Sequence, residues 1–251
     1  MLSFMIVGHR GAAGLAPENT LPSFIEASKY DIDFIELDVR ETKDGALVVI
    51  HDDNLERTAN YRGLVSQMTL KEIKELDAGG WFSEEFAGTE IPTLEEAIEV
   101  LRDKPQQIIV EIKKYGIERK VIDTLKGLDI VDRVLIASFN LRSLFNVRKL
   151  DSGIPLVFIT NTFTDNILRA AVKLGARILA LRKDAITKPV VERCHRKGVL
   201  INAWIVNDVS EAIRYLLMGV DIISTDYPNI MSKLRTKIMT KLEEALENIL
   251  R

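Results

Sequence analysis

Two pairs of charged residues are set apart by their spacing: Glu36 and Asp38 in "IELDV", and Glu111 and Lys113 in "VEIK". Side chains alternate across a strand, so residues two apart share a face. Each pair therefore points one way, while Ile35, Leu37, Val39, Val110 and Ile112 point the other. Acids gathered on a buried face repel one another and are costly to dehydrate unless a cation or hydrogen-bond donors offset them. Ligation by Glu36, Asp38 and Glu111 would be all-oxygen, which suits one hard divalent ion: Mg2+ or Ca2+ first, with Mn2+ a further candidate. On spacing alone the alternative is an internal salt-bridge layer with Arg10, Arg40 and Lys113.

His9 and His51 each close an apolar run, "MIVGH" and "LVVIH". An imidazole titrates near neutrality, so two of them at one site supply a base and an acid. The third histidine, His195 in "VVERCHRKG", falls on an outer helix beside Arg196 and Lys197 and reads as solvated. Its neighbour Cys194 faces elsewhere on that helix and is no nucleophile candidate. Arg10 brings a bidentate fork and Lys113 a point charge, both suited to phosphate oxygens. Carboxylates around a metal, two cations and an imidazole pair describe a site for an anionic phosphoryl group. Phosphodiester hydrolysis fits better than kinase chemistry, because neither a P-loop nor a kinase signature is present.

These residues need elements that bring them together. Apolar runs fall at 4–9, 33–40, 107–113, 133–138, 155–160, 177–182, 199–206 and 220–225, with amphipathic helical patterns between most of them. Eight such alternations indicate a parallel sheet closed as a (β/α)8 TIM barrel, with an open doubly wound sheet as runner-up. In such a barrel the C-terminal strand ends form the active-site rim. His9, Glu36, Asp38, Glu111, Lys113, Ser138, Trp204, Thr225 and Asp226 all fall at or near those ends. Residues 41–106 are more than one βα loop requires and contain a further strand-like run at 46–52. Capping boxes start helices at Thr69–Glu72 and Thr93–Glu96. We therefore expect a single domain over 1–251, a small inserted subdomain at 52–91 between the second and third barrel strands, and 93–103 as the second barrel helix. The final segment carries Leu234, Ile238, Leu242, Ala245 and Ile249 at helical spacing, as a last barrel helix would.

Composition agrees with a soluble globular protein: 47% hydrophobic, 28% charged and a net charge of −3 over 251 residues. No basic block points to nucleic acid. No apolar stretch approaches the ~20 residues needed to span a bilayer, and "MLSFMIV" lacks the basic flank of a signal peptide. A single cysteine excludes an internal disulfide and fits a reducing compartment, so the expected location is cytoplasmic; the expected state is a monomer or homodimer.

Several longer stretches complete the pattern. "GHRGAAGLAPENTLPSF", "IELDVRETKDGALVVIHDDNLERT", "IPTLEEAIEVL" and "VEIK", followed by "ASFN", "NAWIVND" and "GVDIISTDYP", resemble the glycerophosphodiester phosphodiesterase family from about His9 to Pro228. The resemblance implies a (β/α)8 barrel with a small insertion, and hydrolysis of a small-molecule glycerophosphodiester to glycerol 3-phosphate and an alcohol. It places metal ligands on Glu36, Asp38 and Glu111, acid–base histidines on His9 and His51, and phosphate contacts on Arg10 and Lys113. Trp204 takes the family's aromatic position against the glycerol, and Asn19 in "PENT" orders the first βα loop. After "ERT" the chain departs from the family's usual glycine-rich turn with Ala59, Asn60 and Tyr61, which bears on the leaving group. Trp81, Phe82 and Phe86 are expected in the insertion's own small core, with an acyl-chain groove as the alternative. The rival functions are lysophospholipase D-like hydrolysis, an aldolase built on Lys113, and a non-catalytic phosphate-binding barrel.

Overall fold

The computed structural model of the chain describes residues 4–250, except the side chains of 246 and 248–250. Nine strands form one sheet: β1 (Met5–Gly8), β2 (Phe34–Glu41), β3 (Leu47–Val49), β4 (Gln107–Ile112), β5 (Val134–Ser138), β6 (Leu156–Thr160), β7 (Ile178–Arg182), β8 (Leu200–Trp204) and β9 (Ile222–Thr225). All but β3 pair in parallel, and β1 pairs with both β2 and β9, so eight strands close into a barrel. Its jacket is α1 (Leu21–Ala27), then, after the short α2 (Glu56–Ala59) and α3 (Leu70–Lys74), α4 (Leu94–Leu101), α5 (Glu118–Gly127) and α6 (Leu141–Leu150). It is completed by α7 (Asp165–Leu174), α8 (Lys188–His195), α9 (Val209–Leu217) and α10 (Pro228–Leu250).

The period of two seen in the sequence becomes a division between two apolar layers. Ile35, Leu37, Val39, Ile108, Val110 and Ile112 pack outward beneath the helices. Phe34, Ile109, Ala137, Val157, Ile159 and Ala180 pack inward as the barrel's interior plug. Parallel strands buried on both faces must be apolar on both, which is why they read as runs rather than as alternation. The inward set ends in acids. Glu36 stands beside Ile109 in register, and Asp38 beside Glu111, one step nearer the mouth.

The strand-like run at 46–52 is no barrel strand. It shortens to β3, which pairs antiparallel with the overhanging end of β2, Val39 opposite Val49. Ile50 donates its N–H to the Asp38 carbonyl at 3.0 Å, and His51 follows it in a bend. Between β3 and α4 a separate apolar cluster includes Leu55, Val65, Ile73, Ala78 and Ile91. Trp81, Phe82 and Phe86 are not part of it. They stack edge to face on one another at 5.7 Å spacings, with Trp81 exposed. Both capping boxes form, Thr69 with Glu72 and Thr93 with Glu96. On α10, Leu234 is buried, Ile238 packs on the core, Leu242 is half-buried and Ala245 is exposed, while the Ile249 side chain lies outside the described residues.

Candidate active site

The barrel mouth holds a cleft of about 100 Å3. Its lining is polar at His9, Arg10, Glu36, His51, Glu111 and Lys113, and apolar at Ile109, Ala137, Phe139, Val157, Ile159 and Trp204. Seven of the eight residues expected at the site line this cleft. The eighth, Asp38, lies against them, 1% exposed.

The strand ends explain the placement. β1 ends at Gly8, and Arg10 (φ +50°) and Gly11 (φ +88°) turn the chain sharply back over β2. A Cβ at Gly11 would come within 2.7 Å of the Ser23 carbonyl carbon, so the turn needs glycine for space as well as for conformation. The turn aims the Arg10 N–H at Glu36 Oε2, 2.8 Å away. Asn19, buried and also at positive φ (+57°), holds Asp38 twice. Its Nδ2 donates to Asp38 Oδ2 at 2.7 Å, and its Oδ1 accepts from the Asp38 N–H at 3.1 Å.

Glu36, Asp38 and Glu111 are all buried, and each offers an oxygen within 4.8 Å of the others'. Lys113 Nζ lies 2.8 Å from Glu111 and 3.5 Å from Asp38, and Arg10 Nε lies 3.3 Å from Asp38. Three acids thus share two cations, and their proton affinities diverge. Burial would raise the Asp38 carboxyl, but Lys113, Arg10, His51 and the Asn19 bond together hold it well below the usual range. Burial and the neighbouring charges of Asp38 and Glu111 push Glu36 well above it. Burial and Asp38 push Glu111 up to about 7. A hard divalent ion among these oxygens would relieve both raised carboxyls, so the donor set fits such an ion.

Each mouth histidine is held at Nδ1 by a carboxylate. His9 donates to Asp226 Oδ1 at 2.7 Å, and Asp226 is fixed in turn by Asn207 Nδ2 at 2.7 Å. His51 donates to Asp52 Oδ1 at 2.6 Å. A carboxylate only accepts, so in both rings the proton sits on Nδ1, and Nε2 is the nitrogen left for substrate. Burial lowers the His51 pKa, with Arg10 and Lys113 reinforcing the shift and Asp38 opposing it.

Sequence reasoning did not assign Glu18, Asp52, Arg57, Asn207 or Phe139. Phe139 directly follows Ser138 and meets Trp204 edge to face at 5.7 Å, with Lys113 Nζ 5.6 Å from its ring centre. Ser138 itself is buried and donates to the Ile112 carbonyl at 2.8 Å, a strand-end tie rather than a cleft group. The buried Trp204 Nε1 has no acceptor among the described residues. His195 is exposed on its outer helix and pairs with Asp221 at 2.8 Å, and burial pushes the Cys194 thiol up to about 11.

A model of the glycerophosphoryl diester phosphodiesterase family matches residues 9–230. A glycerophosphodiester phosphodiesterase of Caldanaerobacter subterraneus subsp. tengcongensis is 39% identical over 238 residues, covering 93% of this chain and 98% of that one. One from Bacillus subtilis is 34% identical over 258 residues, with 92% and 86% covered. Among solved structures, an Oleispira antarctica phosphodiesterase in complex with the product sn-glycerol-3-phosphate superposes with a TM-score of 0.85. It is 30% identical, and the match covers 94% of this chain and 97% of that one.

Proposed function

The chain belongs to the glycerophosphoryl diester phosphodiesterase family, and from that premise we propose how it works: as a divalent-cation-dependent hydrolase releasing glycerol 3-phosphate and an alcohol through two histidines. The chain is an enzyme, a glycerophosphodiester phosphodiesterase. The observation that carries the mechanism is one cleft lined by two Nδ1-anchored histidines, with a buried carboxylate triad against it.

In this reading Arg10 and Lys113 bind the phosphate oxygens and Trp204 packs on the glycerol. One histidine takes a proton at Nε2 from the attacking hydroxyl, either a water or the glycerol 2-hydroxyl, the latter giving a cyclic phosphate that a water then opens to glycerol 3-phosphate. The other, entering as an imidazolium protonated at both nitrogens, gives its Nε2 proton to the departing alcohol oxygen. Glu36, Asp38 and Glu111 would hold the cation, which when bound supplies Lewis-acid stabilisation of charge on the phosphate oxygens. Residues 52–91 form a small inserted subdomain in this account, supported by an apolar cluster that they share with Val48 and Ile50.

The test is glycerol 3-phosphate release from glycerophosphocholine by metal-stripped protein, with Mg2+, Ca2+ or Mn2+ added back. We expect release only with an added ion, and a loss of at least about 100-fold in both His51→Ala and Glu111→Ala. Release unaffected by either substitution would remove the site from the chemistry.

A further inference from the structure

His51 and Arg10 lie on different segments, yet the side chains behind them form one continuous chain of hydrogen bonds. Asp52, which holds the His51 ring, accepts at its other oxygen from Arg57 Nε at 2.7 Å. The remaining fork of Arg57 closes on Glu18, Nη1 to Oε2 and Nη2 to Oε1, both at 2.7 Å. Glu18 Oε1 also accepts from Arg10 Nη1 at 2.7 Å. Arg57 sits on α2, beyond β3, whereas Glu18 belongs to the loop between β1 and α1. His9 is held differently: its carboxylate, Asp226, is braced by Asn207, and both lie in loops following barrel strands.

We propose that Glu18, Asp52 and Arg57 are positioning residues, a relay through which one carboxylate, Glu18, sets the placement of both His51 and Arg10. The inference rests on the acid–base reading of His51. A planar guanidinium is the group that can bond two carboxylates in fixed directions at once, and a lysine cannot replace that geometry. Arg57 is 45% exposed, so its ion pairs add little to stability. What they fix is direction: Asp52 clamped at one oxygen presents the other to His51 Nδ1 in a single orientation. Glu18 stays charged in this arrangement, since the Arg57 and Arg10 bonds outweigh its burial. α2 thereby becomes part of the catalytic apparatus without touching substrate.

The test compares Arg57→Ala, Arg57→Lys, Asp52→Asn and the double variant Asp52→Asn/Arg57→Ala for kcat and KM on glycerophosphocholine at saturating Mg2+. Arg62→Ala, at a 94% exposed position on the same segment, serves as control. We expect each single variant to lose about 10- to 100-fold in kcat with KM nearly unchanged, as outer partners of active groups commonly do. The double variant should be no worse than its worse parent, because both act through one ring. Glu18→Gln should also raise KM, since it releases Arg10. Low concentrations of guanidinium should restore part of the Arg57→Ala activity and none of the Asp52→Asn activity. Nitrogen-15 NMR of the metal-free protein reads the ring directly: the His51 Nδ1–H signal should weaken in Arg57→Ala and persist in Arg62→Ala. Active wild type whose Arg57→Ala variant keeps its kcat and its Nδ1–H signal overturns the relay alone. Wild type that hydrolyses no glycerophosphodiester overturns the acid–base reading, and the relay with it.

Discussion

At the scale of single residues, the carboxylate triad ties stability to pH and, in the proposed reading, to divalent ions. The Glu111 carboxyl is raised from 4.5 to about 7 in the folded chain, so the folded state holds a proton there that the unfolded state has released. Its contribution to stability is complete below 4.5 and is lost as pH rises through about 7. Glu36 shifts in the same direction, and the depressed Asp38 has its effect below 3.8, outside this window. The lowered His51 pKa works the other way only below its ordinary value of 6.5, so metal-free protein should melt at progressively lower temperature from about pH 6.5 to about pH 8, and Mg2+ or Ca2+ should raise the melting temperature most at the alkaline end. A flat melting curve across that range without ions would contradict the assignment. The inward direction of Glu36, Asp38, Glu111 and Lys113 was readable from a spacing of two, because a strand leaves no other choice. The carboxylates behind the histidines were not. Asp226 meets His9 across 217 residues of chain, and Arg57 meets Glu18 across 39. No local pattern encodes such a pairing.

At the scale of elements, the first βα loop holds the acids in place. Asn19 satisfies both the Asp38 N–H and the Asp38 carboxylate in a buried position. Asn19→Ala should cost about 1–3 kcal/mol, the usual penalty for stranding buried polar groups, in a urea denaturation experiment. It should also weaken ion binding measured by calorimetry; an unchanged midpoint would show that Asp38 finds other partners. The barrel strands and the two capping boxes were legible, since doubly buried strands give apolar runs and caps have a fixed offset. The segment between β3 and α4 was legible only in part. Its aromatic residues follow neither helical nor strand periodicity, so nothing in the order Trp81, Phe82, Phe86 says that they stack on one another instead of entering the buried cluster. The antiparallel turn of β3 was hidden for a similar reason, as three apolar residues look alike in either direction.

At the scale of the whole molecule, burial along α10 is concentrated in its first half. Met231 and Leu234 are buried and Arg235 pairs with Asp31 and Asp33, whereas the described side chains from Lys241 to Ala245 have no fully buried member. A chain ended after Thr240 should keep its activity and melt within a few degrees of the full chain, while Met231→Ala should cost about 2–5 kcal/mol. Thermal denaturation of the two variants decides it. The seam between β1 and β9 has a consequence for how the protein is made. During synthesis β1 leaves the ribosome first and waits with one edge unpaired until β9 arrives, so contacts of very long sequence separation must form last. Since His9 meets Asp226 only across that seam, a nascent chain passes through most of translation without the completed candidate site. In the proposed reading, the hydrolase is complete only once the barrel has shut.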